Sequence, residues 1–284
     1  MPNQRSSARA IRAVAAVAAA ALALTVMSGC APADTPGRPT PTHTVDPFTA
    51  AALKLPDGAK AFDKAQAAST PGVNDEFIAT ARADLLDYYK RAALDPQALS
   101  GTSPKDALEA SYAAPTTPPE LGPQIIKFSQ EKPSSFTVGV NFLADTKRTT
   151  DQIPTTIGFI VSMFTDDSGQ PQQQLELYGI SLYPAQLKNG KTAGLAVFRY
   201  MALWATAGSG VVGTAPWHWQ ASTQVNGGEV CSFQKGLGIV PDPVNQPTLM
   251  KHLPAVLDGS ALTKDGWKAF SKDAAQKSPC DAKP

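Results

Sequence analysis

The sequence predicts an α+β fold, with N-terminal helices packed on a curved, mainly antiparallel β-sheet. Three observations carry this. Apolar residues recur at helical spacing early in the chain, at Phe77, Ala81, Leu85, Tyr88 and Ala92. Further on the period falls to two, in Phe136, Val138, Val140 and Phe142 of "SFTVGVNF". The later apolar segments are joined by short turn signals, so helices come first and a run of paired strands follows.

Alanine-rich residues 48–70 read as one or two short helices. The clearer helix begins after Pro71-Gly72. Asn74 can cap it, Asp75 and Glu76 suit its positive end, and Pro96 closes it. Ser103-Pro104 opens a shorter helix with Leu108 and Tyr112 on one side, and "PTTPPELGP" forces a loop. "TTIGFIVSMF" is apolar on both faces and reads as a central strand. "QQQLELYGISLY" reads as another, with Gly179 as a bulge or bend. An Asn-Gly turn in "LKNGK" leads to "AGLAVFRYMALWATA", which fits either period and is taken as a strand because strands flank it. "WHWQASTQV" and "EVCSFQ" are joined through Asn226-Gly227-Gly228 as a hairpin.

Ahead of this body, Arg5, Arg9 and Arg12 precede an apolar run from Ala13 to Met27, and no acid occurs before Asp34. The run is about fifteen residues, whereas a spanning helix needs about 20. Its length and flanks are those of a secretory signal peptide. Met27-Ser28-Gly29-Cys30 then resembles the lipobox of bacterial lipoproteins, with Met27 where leucine is usual. That resemblance implies cleavage after residue 29, acylation of Cys30 and a cell-membrane anchor on the extracytoplasmic face. Two or more acyl chains hold a protein stably, whereas one gives only a partition constant of about 10⁴ M⁻¹. Residues 30–47 form the lipidated cysteine and a Pro/Thr-rich tether of polyproline-like geometry, reaching roughly 50 Å at about 3.1 Å per residue. Residues 48–284 are read as a single domain. The leader and tether together resemble those of actinobacterial lipoproteins. The helix-then-sheet order resembles the nuclear transport factor 2-like, or cystatin-like, cone, which implies a pocket between helices and sheet with no fixed chemistry.

Cleavage before Cys30 removes three arginines and no acid, taking the formal charge from +1 to −2. A nearly neutral chain argues against nucleic acid as a partner. The expected partners are the membrane, through the lipid, and an envelope protein or small ligand. The remaining cysteines, Cys231 and Cys280, form an even pair in an oxidising compartment and read as a disulfide. Its loop of about 50 residues would remove denatured-state entropy worth roughly 4 kcal/mol.

No catalytic or metal-binding set stands out, and no cofactor is expected. Gly208–Gly213 matches G-x-G-x-x-G, but Pro216 follows where a helix is required. Ser129-Gln130-Glu131-Lys132 fits S-x-x-K, but Pro133 opposes the helix that motif needs. Asp166-Asp167 before Ser168-Gly169 looks like a solvated turn. The strongest binding candidate is Trp217, His218 and Trp219: in a strand both indoles share one face, able to line a pocket or stack on a sugar, and the histidine takes the other. Burial beneath a helix is the commoner fate of such indoles. The leading reading is a lipid-anchored binding module. A small envelope hydrolase using His218 or His252 is the alternative. An importer substrate-binding lipoprotein ranks last, because no repeated strand–helix–strand units occur.

Overall fold

Capping residues, prolines and glycines cut the start of the folded chain into three helices. The computed structural model describes residues 45–96, 99, 124, 127, 146–208, 218–229, 231 and 238–274, all within the unit Thr44–Pro284. Helix α1 spans Pro47–Ala52, with the Asp46 carboxylate accepting the Thr49 N–H as its cap. Folded structure thus reaches back into the last two residues assigned to the tether. The reason is local: Asp46 is a good cap and Pro47 suits the first helical turn. Helix α2 spans Gly58–Lys64. Helix α3 spans Asp75–Ala93, and the Asn74 side chain accepts the Glu76 N–H as expected. Phe77, Ala81, Leu85, Tyr88 and Ala92 are all buried, so the predicted apolar face is the packed one.

Five described strands follow: β1 Thr146–Arg148, β2 Thr155–Thr165, β3 Pro171–Leu187, β4 Thr192–Thr206 and β5 His218–Asn226. Every pairing is antiparallel, in an open, curved sheet. β3 lies at its centre, with β4 and then β5 on one side and β1 and β2 sharing the other. At the β3–β4 hairpin, Gly190 has φ 79° and donates to the Leu187 carbonyl at 2.9 Å, as an Asn-Gly turn requires. The Asp166 turn joins β2 to β3, its carboxylate accepting from Ser168 and Gln170. Segment 193–206 is a strand, as read.

Three expectations are corrected. β2 was expected as a central strand, yet among the described residues it pairs with β3 alone. Its apolar faces pack on α3 through Ile157, Phe159 and Val161 and, on the other side, near Leu262. Gly179 is neither bulge nor bend, because pairing runs through it without interruption to Ile157 and to Arg199. What it provides is space: a Cβ there would lie 2.1 Å from the Tyr89 ring. The hairpin read from β5 into residues 229–234 is also absent from their described members. Glu229 donates instead to the Val240 carbonyl at 2.8 Å, Gly228 bridges to Pro241, and Cys231 is helical.

The chain closes with α4, Gln246–Leu257, and α5, Lys264–Ala274. Alternation along β3 and β4 then sorts the core into two layers. Leu175, Leu177, Met201 and Leu203 pack against α3. Tyr178, Ile180, Leu182 and Phe198 meet Phe48 of α1, Leu249, Leu253 and Val256 of α4, and Phe270 of α5. Helices therefore cover both faces of the sheet. Among the described residues no helix is long and apolar enough to cross a membrane.

The leader, Cys30, the helix expected after Ser103, strand 135–142, the S-x-x-K match, most of the glycine loop, Trp217 and Cys280 lie outside the described residues.

Candidate functional site

The face of the sheet beneath α3 is apolar except around one residue. The α3-facing positions of β4 read Ala193, Leu195, Val197, Arg199, Met201, Leu203 and Ala205. Arg199 is completely buried. Its register partners are Gly179 on β3 and Thr223 on β5. The missing side chain at Gly179 lets the Tyr89 ring settle on β3, and the guanidinium carbon lies 5.6 Å from that ring's centre.

One part of the cluster is fully bonded. The Tyr89 hydroxyl lies 2.8 Å from Ser181 Oγ, and Ser181 lies 3.1 Å from Thr155 Oγ1, which donates to the Ile153 carbonyl at 2.8 Å. Because Thr155 spends its proton on the carbonyl, the chain runs from Tyr89 through Ser181 to Thr155. Two further contacts dock the end of α3. Arg199 Nη2 donates to the Ala92 carbonyl at 3.0 Å, and the Tyr183 hydroxyl donates to the Ala93 carbonyl at 3.0 Å. The last carbonyls of a helix lack partners within it and carry its negative end, so a buried cation is favourable there.

The other part is not satisfied. Among the described residues Arg199 Nε and Nη1 and the Tyr88 hydroxyl find no hydrogen-bond partner. No described carboxylate neutralises the guanidinium. Burial works against its charge, but Tyr183, Tyr89 and Tyr88 outweigh that and hold its pKa above the ordinary arginine value. Burial pushes the Tyr88 hydroxyl up to about 12 and raises Tyr89 as well. At neutral pH the cluster is therefore one positive charge surrounded by neutral hydroxyls. An unpaired buried cation of this kind is costly, and buried donors without acceptors call for a cause. At the C-terminal end of α3, Asp87, Lys90, Arg91, Leu94, Asp95 and Pro96 line a recess of about 380 Å³, to which none of the cluster's side chains contributes. That size suits a small molecule.

The residues singled out from sequence take other positions. His218 is exposed and its ring stacks on Trp204, centres 5.9 Å apart. Trp219 is half-buried on the α3 side and donates to Gln124 Oε1 at 2.9 Å. The two lie on opposite faces of β5, as alternation requires. His252 is on α4 with its ring 5.4 Å from that of Phe270. The structure does not bring His218 or Trp219 to Arg199's unsatisfied nitrogens by any hydrogen bond. Asp166 is a turn carboxylate whose pKa is lowered by hydrogen bonds, first from Ser168 and then from Gln170, which suits an acceptor and not a proton donor. Among the described residues no cluster of three histidine, cysteine or acidic side chains could hold a metal ion.

Sequence reading missed Arg199, Tyr88, Tyr89, Tyr183 and Ser181. One signal was present: Arg199 is the single charged residue in "AGLAVFRYMALWA", and it stands on the face whose other positions are apolar. Compared with known proteins, the chain matches no family model, no curated sequence and no solved structure.

Proposed function

We propose that this chain is a lipid-anchored extracytoplasmic binding module that takes a small ligand or the end of an envelope partner between α3 and the sheet. The observation that carries the binding reading is the buried guanidinium of Arg199, with donors that no described group accepts. A fold gains no stability from such an arrangement, whereas a binding site needs a few buried polar groups held ready in an apolar setting. The address rests on the leader, the Ser28-Gly29-Cys30 sequence and the Pro/Thr-rich spacer. The proposed Cys231–Cys280 bridge, supported by the half-cystine state of Cys231, would tie the tail to the body.

Two measurements test this reading. Metabolic labelling with a palmitate analogue should mark the wild-type chain and not Cys30→Ala; label persisting in the variant would refute the anchor. Native mass spectrometry of the mature lipoprotein, extracted in mild detergent, should show a small molecule retained by the wild type and lost from Arg199→Met. Equal spectra, with nothing bound to either, would count against an interior ligand.

A further inference from the structure

We propose that the open end of the sheet's other face binds a neutral oligosaccharide chain, through a row of rings formed by Phe164, Trp204 and His218. This surface lies across the sheet from Arg199 and stands apart from the ligand proposed beneath α3. The helical layer on that face does not run its full length. It packs on Tyr178, Ile180, Leu182 and Phe198, and Trp267 reaches Tyr200 with ring centres 5.9 Å apart. Farther along the same strands, alternation brings Ser162, Phe164, Gln174, Trp204, His218 and Gln220 to that face, each of them exposed or half-exposed. The rings adjoin one another. Trp204 lies 5.9 Å from His218, nearly parallel at 18°, and 6.4 Å from Phe164, edge to face at 69°. Trp204 is thus held between its neighbours, which keep outer surfaces in solvent.

The groups between the rings and the charge around them select the occupant. Ser162 donates to Gln174 Oε1 at 3.3 Å, which leaves Gln174 Nε2 and the whole Gln220 amide without a partner among the described residues. An amide donates and accepts from one plane, as neighbouring hydroxyls of a sugar require. A pyranose complements such a surface, with a C–H face for the rings and hydroxyls at its rim for the amides. Strand segments 160–165, 171–177, 201–206 and 218–222 carry no lysine or arginine and one acid, Glu176, which accepts from the Tyr200 hydroxyl. An acidic polymer finds no cation there, whereas uncharged rings and amides suit a neutral one. The apolar contribution is a single row flanked by amides, less than the contiguous apolar centre of a stable protein interface. The chain leading back to Cys30 enters at α1, where Phe48 lies against Gly194 near the start of β4. Trp204 is near the other end of that strand, roughly 30 Å away at about 3.3 Å per residue. The ring row therefore sits away from the point of attachment, which favours an envelope polymer over lipid as the occupant.

The test titrates the full mature lipoprotein, held in a polyoxyethylene detergent that carries no sugar, with cellohexaose, maltohexaose, mannohexaose and chitohexaose by calorimetry. Hexagalacturonate serves as the acidic probe. Saturable binding of at least one neutral hexasaccharide, and none of the acidic one, is the expected result. Phe164→Ala and His218→Ala should each weaken that binding about three- to tenfold, the worth of one aromatic contact. Both side chains are exposed, so these variants keep the fold and the test stays usable if Trp204→Ala does not fold. Tyr88→Phe, under α3, should bind the sugar as wild type does, which separates this surface from the ligand proposed there. No binding of any neutral hexasaccharide, equal binding of hexagalacturonate, or wild-type binding by both ring variants would overturn the proposal. Loss of the sugar from Tyr88→Phe would overturn it as well. Self-association that Phe164→Ala abolishes, with no sugar bound, would also overturn it and mark an interface between copies.

Discussion

Tyr89 occupies its position because residue 179 has no side chain. A methyl group at Gly179 would meet the Tyr89 ring at 2.1 Å, and neither partner can move freely: one is in the central strand, the other is anchored through Ser181 and lies against Arg199. Gly179→Ala should therefore cost about 1–3 kcal/mol or more, the usual range for overpacking a close-packed interior. A lowered denaturation midpoint with an unchanged slope would show it; a midpoint equal to wild type would mean that Tyr89 is less fixed than described. Glycine inside a strand pattern signals either a bulge or a close backbone approach. Sequence spacing does not separate the two, because the approaching ring comes from a helix far away in the chain.

Helix α4 is fastened by its first residue. Gln246 Oε1 accepts the Gly194 N–H at 2.8 Å, while its Nε2 faces the carbonyls of Gly194 and Gly227 at 3.0 Å and of Asp242 at 3.2 Å. One amide thus joins the start of β4, the end of β5 and the helix that covers them. Gln246→Ala leaves a partly buried N–H and several carbonyls without this partner, and should cost on the order of 2 kcal/mol. Hydrogen exchange at the Gly194 amide should accelerate with it. Exchange unchanged there would show that the strand holds without the clamp. At this scale the sequence was legible wherever a cue was local. Asn74, the α3 stripe and the Asn189-Gly190 turn each act within a few residues, and each is found as read. An apolar strand such as β2 reports cover on its faces and says nothing about neighbours at its edges. Ile157, Phe159 and Val161 pack toward α3, while Ile160 lies on the opposite side.

The whole molecule stores tyrosine hydroxyls on both sides of its sheet. Tyr88 and Tyr89 lie under α3, and Tyr178 and Tyr200 lie on the other face, where Tyr200 donates to Glu176 at 2.8 Å. Burial, the first cause in each case, raises all four; Tyr88 and Tyr178 reach about 12. A tyrosine whose folded pKa exceeds its unfolded value holds its proton longer in the folded state. Its contribution is complete below about pH 10 and is lost as pH rises through the folded value, because the unfolded chain ionises first. Stability should therefore be insensitive to these groups at neutral pH and fall steeply above about pH 10. For Tyr88 alone the loss is roughly 2 kcal/mol by pH 12. Tyrosinate absorbance and loss of folded signal should rise together in one cooperative step; tyrosinate forming at ordinary pH in an intact fold would contradict the burial.

By itself the sequence determined the kind of element at most described positions, the turns that join β3 to β4, and the helical face that would be buried. These follow from backbone geometry and side-chain spacing, which are properties of neighbouring residues. Only the tertiary structure decided that a second layer, α4 and α5, closes the far side of the sheet, and that Arg199 stands beneath α3 among tyrosines with donors to spare. Burial and charge compensation depend on which distant segments meet, and alternation along one strand cannot carry that information.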